Sequence, residues 1–170
     1  MTELELCLHL AERGCDVRQY RLSVAGGVAV FPLWNFGGKL KGYQQYRPFA
    51  PKKTNNPKEA RYFTRSFEPC LWGLEYLPPG GTVFVAESIF KACALHKAGV
   101  SAVACLGSAI PPQLRQQMLL SPYNWVCVGD NDAAGAKFSR TFRRGFVSHD
   151  LDEMTTEQVK QLVAEVNYVF

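Results

Sequence analysis

The strongest constraint on the fold of this chain is the alternation that follows Pro78-Pro79-Gly80-Gly81. Thr82 to Ala86 is a β-rich run, Ile89 to Ala98 a helical pattern closed by Gly99, and Ser101 to Leu106 a second β-rich run. Pro111 to Leu120 then reads as a helix opening on proline, Asn124 to Val128 as a strand and Ala133 to Phe142 as a helix. Strand, helix, strand, helix, strand predicts an α/β unit whose parallel sheet is flanked by helices. In such sheets ligands bind beyond the carboxyl ends of the strands, so the residues just after each strand are the informative ones.

Two of those ends are acidic. Glu87 follows TVFVA, and Asp130 and Asp132 follow WVCV in the stretch GDNDAAG. In an extended segment residues i and i+2 face the same way, so Asp130 and Asp132 can hold a hard cation together. The same residues also suit a solvated turn in which Asp132 caps a helix starting near Ala133, and Glu87 alone suits a helix N-terminus. A calcium loop is a worse fit, because the pattern needs an oxygen ligand at 134 and a glutamate at 141, where this chain has Ala134 and Thr141. If the three acids meet, they repel one another unless a divalent cation is bound, which makes Mg2+ or Mn2+ the natural partner.

The remainder frames this core. Glu3 to Arg13 is a predicted helix stopped by Gly14, and Val28 to Leu33 with Leu40 to Tyr46 a predicted hairpin around FGGK. Arg47 to Ala60 is rich in Pro, Lys and Asn without periodicity, and is expected to be a mobile basic loop. Lys or Arg stand at 39, 41, 47, 52, 53, 58, 61 and 65, with Glu59 the one acid between them, so this region suits an anionic polymer. Thr155 to Val166 is a predicted amphipathic helix with Thr156 as its cap. The expected domains are 1–79, a basic α+β subdomain, 80–150, the acidic α/β core, and 151–170, a helix packed on that core. A hydrophobic content of 47% over 170 residues is enough for a core of this size.

Six cysteines without a C-x-x-C pair point to a reduced, cytoplasmic protein, and the three histidines pair with no cysteine at zinc spacing. No apolar run approaches the ~20 residues that span a bilayer, so a membrane role is not expected.

The order of motifs resembles a known family. The strand-end Glu87, LGSAI at Leu106 to Ile110 and GDNDAAG resemble a TOPRIM domain, and AESIFKACALHKAGVSAVACLGSAIPPQLRQQM is similar to the corresponding stretch of DnaG-type bacterial and phage primases. LAERGCDVRQYRL with VAVFPLWNFGGKLKGYQQYRP resembles the N-terminal subdomain of that polymerase core, without its zinc-binding or helicase domains. ARYFTRSFEPCLWGLEYL and SHDLDEM resemble the family's PKYLNSP–LYGL and DPDE-like segments. Two positions depart from the pattern: the family's usual Gly and Asp after the strand-end glutamate are here Ser88 and Lys91.

The resemblance implies a primase that joins nucleoside triphosphates into short RNA primers on single-stranded DNA in a bacterial host, with a replicative helicase as a possible partner. Glu87, Asp130 and Asp132 would be the catalytic and metal-holding residues. Arg47, Lys52, Lys53, Lys58, Arg61, Tyr62 and Arg65 would hold the template, with Tyr43, Tyr46 and Phe63 as further stacking surfaces. Arg61 and Tyr62 match the family's Lys-Tyr pair. Lys91 would pair with Glu87 or contact phosphate, and the backbone at Gly107 and Ser108 would orient phosphates or form a plain tight turn. Two alternatives stay open: a TOPRIM nuclease using the same acids, and a degenerate TOPRIM module that binds single-stranded nucleic acid without turnover.

Overall fold

A computed structural model describes residues 1–169, in two compact units that divide between Cys70 and Leu71. The division lies ahead of the Pro78 to Gly81 turn for a packing reason. Leu71 and Trp72 are fully buried, and Trp72 forms an antiparallel bridge with Ala104, so the segment before that turn belongs to the second unit's core.

The first unit begins with α1 (Glu3–Glu12). Its start is fixed by a capping box in which Thr2 Oγ1 accepts the Glu5 N–H at 3.2 Å and the Glu5 carboxylate accepts the Thr2 N–H at 2.7 Å. Four strands follow in an antiparallel sheet of order β1-β2-β3-β4: β1 (Ser23–Ala25), β2 (Val28–Trp34), β3 (Leu40–Tyr46) and β4 (Tyr62–Ser66). The predicted hairpin is β2–β3, with Phe31 opposite Gln44. Strict alternation along β2 buries Ala29, Phe31 and Leu33 on one face, the face that also carries the buried Tyr46. On the opposite face the register aligns Val30, Gln45 and Phe63 in one row and Pro32, Tyr43 and Arg65 in the next.

The Arg47 to Ala60 stretch is more organised than its composition suggests. The Arg47 N–H donates to the Arg61 carbonyl at 2.9 Å, the Arg61 N–H donates to the Pro51 carbonyl at 2.9 Å, and Asn56 caps a short 3-10 turn at Pro57–Glu59. Backbone pairing at its base, which composition does not reveal, gives the loop its shape.

The second unit is the α/β core: β5 (Gly81–Ala86), α2 (Ile89–Lys97), β6 (Ala102–Ala104), α3 (Pro112–Leu120), β7 (Tyr123–Asp130), α4 (Ala133–Phe138), β8 (Arg144–Ser148) and α5 (Thr156–Val169). Its four strands are parallel in the order β6-β5-β7-β8. Strand β8 has no strong sequence signal, because RGFVS is a short, half-exposed run at the sheet edge. The predicted helix to Phe142 therefore ends earlier, at Phe138, to leave room for the turn into β8. Thr155 rather than Thr156 caps α5: its Oγ1 accepts the Gln158 N–H at 3.2 Å, and the Gln158 side chain accepts the Thr155 N–H at 2.8 Å.

Val83, Val85, Leu95, Val103 and Val126 are fully inaccessible, and Phe84, Ile89 and Phe138 are 1% exposed. Among the described residues no helix is long and apolar enough to cross a membrane. Phe84→Ala is expected to cost about 3–5 kcal/mol in urea unfolding, from lost burial plus a residual cavity. Leu120→Ala, at a position 82% exposed, is expected to stay within about 0.5 kcal/mol.

Candidate functional site

Strand order places the site. The chain moves from β5 outward to β6 and then returns to the other side of β5 to form β7, so the topological switch point lies between β5 and β7. Ala86 is in register with Val128. One residue beyond Ala86, Glu87 therefore reaches the end of β7, where its Oε1 accepts the Asp130 N–H at 3.2 Å.

Two glycines allow this closeness. A side chain on Gly135 would collide with the Asp130 backbone, and one on Gly129 would collide with the Gly135 carbonyl, so α4 sits directly on the end of β7. The spacing GDNDAAG is thus a backbone-packing motif as well as an acidic one.

The two aspartates of that motif have separate duties. Asp132 is the N-cap of α4, its Oδ1 accepting the Gly135 N–H at 2.7 Å. The capping reading of Asp132 is the one the geometry realises. Asp130, the last residue of β7, instead accepts a hydrogen bond from the Lys91 ammonium.

Lys91 holds the centre. It stands in the first turn of α2, whose N-cap Ser88 accepts the Lys91 N–H at 3.4 Å, and only 9% of its side chain is exposed. Its Nζ bonds Asp130 Oδ1 and lies 2.9 Å from Asp150 Oδ1. Glu87, one helical turn away, or a phosphate is the partner expected from the sequence, whereas the side chain reaches across the switch point to Asp130 at the end of β7 and to Asp150 after β8. Burial alone would lower the Lys91 pKa, yet the hydrogen bonds to Asp130 and Asp150 outweigh it and raise the pKa, keeping the ammonium charged. Glu87 is shifted upward, chiefly by burial and further by the negative charges of Asp130 and Asp132, against the Asp130 N–H and Lys91.

Asp150 was not singled out in the sequence. Its signal was the SHDLDEM segment, where it comes two residues after β8 ends. The resulting cluster draws on the carboxyl ends of three neighbouring strands, β5, β7 and β8. Among the described residues no three His, Cys, Asp or Glu side chains are grouped to hold a metal ion. Asp132 gives Oδ1 to the α4 cap and Asp130 gives Oδ1 to the Lys91 ammonium, so the Mg2+ or Mn2+ expected on Glu87, Asp130 and Asp132 would have to share these carboxylates with the cap and the lysine.

Gly107 and Ser108 are exposed in the loop after β6, where Leu106 takes a positive φ of 64°. Ser108 lines a cleft of about 540 Å3 together with Ile110, Arg115, Lys137 and Arg140. These three cations were not legible as a group, since they come from α3, α4 and the turn after it.

The basic residues of the first unit divide by role. Arg61 Nε donates to the Ala50 carbonyl at 2.9 Å, and Tyr62 stacks on the buried Tyr46 with centroids 5.1 Å apart, so both support the fold. Lys52, Lys53, Lys58 and Arg65 are exposed, Arg65 lying over the Phe67 ring. Arg47 donates through Nη2 to Gln45 at 3.0 Å, whereas its Nη1 is buried with no acceptor. Tyr43 and Phe63 form an edge-on pair at 6.4 Å on the same sheet face as Arg65.

No protein-family model and no curated protein sequence matches the chain. Solved structures do. A DnaG catalytic core matches with TM-score 0.62 and 18% identity, over 95% of this chain and 58% of that one. The RNA polymerase domain of Mycobacterium tuberculosis primase DnaG matches with TM-score 0.69 and 16% identity, over 96% and 77%. A DnaG primase catalytic domain bound to ssDNA matches with TM-score 0.58 and 18% identity, over 95% and 57%. The chain has the fold of DnaG-type primase catalytic cores, and it spans somewhat more than half the length of two of these three.

Gly135→Ala is expected to destabilise by about 1–3 kcal/mol or more, because backbone rather than a flexible side chain must give way. Glu87 takes up its proton more readily folded than unfolded. Its ionisation therefore opposes folding above its raised folded-state pKa, and that cost disappears below the unfolded value. Glu87→Gln is expected to exceed the wild type in stability at pH 7, with the difference shrinking as pH falls through that window. A difference independent of pH in urea titrations would contradict the shift.

Proposed function

We propose that this chain is a primase-like module that grips single-stranded DNA through its antiparallel sheet and neutralises its own acidic centre with Lys91. The observation that carries the DNA reading is the sheet face bearing Tyr43, Phe63 and Arg65, with Arg47 at its margin. Phosphates are held by point charges and bases by aromatic faces, and this surface offers both. Arg47, held beside this face by its Nη2 bond to Gln45, adds a further guanidinium charge. Lys52, Lys53 and Lys58, exposed around the 3-10 turn, extend the positive surface. The shared fold with a primase domain bound to ssDNA supports the same assignment.

A second reading adds primer synthesis, in which a 3′ hydroxyl attacks the α-phosphate of a nucleoside triphosphate and pyrophosphate leaves. Its specific support is Glu87, a carboxylate at the switch point whose raised pKa suits it to accept a proton. The cleft lined by Arg115, Lys137 and Arg140 has the charge to receive nucleotide phosphates. Phosphodiester cleavage has less support, since it gives no role to the first unit's aromatic and cationic face. A replicative helicase as partner belongs to the primer-synthesis reading.

Two measurements test this. Fluorescence anisotropy with labelled single-stranded DNA is expected to show affinity falling steeply with salt. Arg65→Ala and Arg47→Ala should each flatten the log–log slope by about 0.7, and Tyr43→Ala should weaken binding by about 1–3 kcal/mol. Affinity insensitive to salt would remove the template role. Incubation with single-stranded DNA, labelled ribonucleotides and Mg2+ or Mn2+ is expected to yield neither labelled primers nor shortened DNA. Primers would establish the second reading, and shortened DNA would establish the nuclease.

A further inference from the structure

We infer that the Lys91 ammonium is the resident cation of the acidic crevice and keeps free divalent ions out of it. The inference deepens the reading above by assigning the ligand class of the strand-end site, and it rests on that site being the acidic centre of the unit.

The geometry is specific. Asp130 closes β7 at the switch point, Asp150 follows β8, and Lys91 Nζ lies between them, bonded to an oxygen of each. The lysine is 7% exposed, so its aliphatic stem is enclosed while its head faces carboxylates that are themselves 38% and 52% exposed. A cation carried on α2 is anchored by the helix cap at Ser88 and is not lost by dilution, unlike a dissociable ion. Mg2+ demands near-octahedral oxygen ligation at about 2.0–2.1 Å. An ion drawn to Asp130 and Asp150 would meet an ammonium already held there, and the like charges would repel at this short separation. Of the remaining acids, Asp132 already gives one oxygen to the α4 cap and Glu87 one to the Asp130 N–H, which reduces what they can offer an ion.

A direct consequence is that exchanging the cation for a carboxylate should open the site. Mn2+ is the probe, titrated into the full chain without nucleotide or DNA and followed by the electron paramagnetic resonance signal of the free ion. The wild type is expected to leave that signal at its buffer value. Lys91→Asp is expected to bind one Mn2+ at least tenfold more tightly, and Asp130→Asn in the Lys91→Asp background to abolish the gain. Wild-type binding of one ion that Asp130→Asn removes would overturn the inference, as would a folded Lys91→Asp chain that binds no better than wild type. Should Lys91→Asp fail to fold by circular dichroism, the wild-type and Asp130→Asn titrations decide alone: Asp130-dependent binding overturns the inference, and its absence upholds it. None of these outcomes depends on DNA affinity, so failure here leaves the sheet-face reading to its own test.

Discussion

The parallel pairing of β5 with β7 is the constraint on which the candidate site depends. Because Ala86 and Val128 are in register, the acid that ends one strand is delivered to the backbone of the acid that ends the other, and Glu87 bonds the Asp130 N–H. The pairing also concentrates negative charge. Asp130, Asp132 and Glu87 lie at adjoining strand ends, and Asp150 is added from beyond β8. Such a cluster requires a positive counterpart, which Lys91 supplies from α2. The ion pairs are better understood as a solution to the problem the topology creates than as a source of stability, since moving an ammonium out of water offsets much of its attraction to the carboxylates.

Much of this was legible in the sequence, for reasons that can be located. The β5–α2–β6–α3–β7–α4 alternation is carried by apolar runs and caps, and the β2–β3 hairpin by alternation around FGGK. The invisible parts depend on partners distant in sequence. RGFVS becomes β8 because β7 offers it an edge, and YFTRS becomes β4 because β3 does. The Arg47 to Ala60 stretch is shaped by backbone bonds at its base.

The site shows the same division. Glu87 and Asp130 could be named from their places after strands, and the local chemistry of GDNDAAG allowed either metal binding or capping for Asp132. Lys91 was legible as a departure from the primase pattern, but its partners were not, because Asp130 and Asp150 become its neighbours only once the sheet is assembled. Arg61 and Tyr62, the pair best matched to the family, serve the fold through the Ala50 carbonyl and the Tyr46 ring. Tyr43 and Phe63, expected only as further stacking surfaces, share with Arg65 the opposite sheet face. Likeness in motif order gave the fold, whereas the roles required the geometry.

The account therefore separates a shared primase-type fold from a local electrostatic solution of its own, and the Lys91 ion pairs are where the two meet. Nuclear magnetic resonance of 15N-labelled lysine ammonium groups examines them most directly. A held ammonium should give a slowly exchanging Lys91 signal at neutral pH that millimolar Mg2+ leaves in place and that Asp130→Asn abolishes. A Lys91 ammonium that exchanges as fast as those of the exposed lysines, or that is released by Mg2+, would contradict the account.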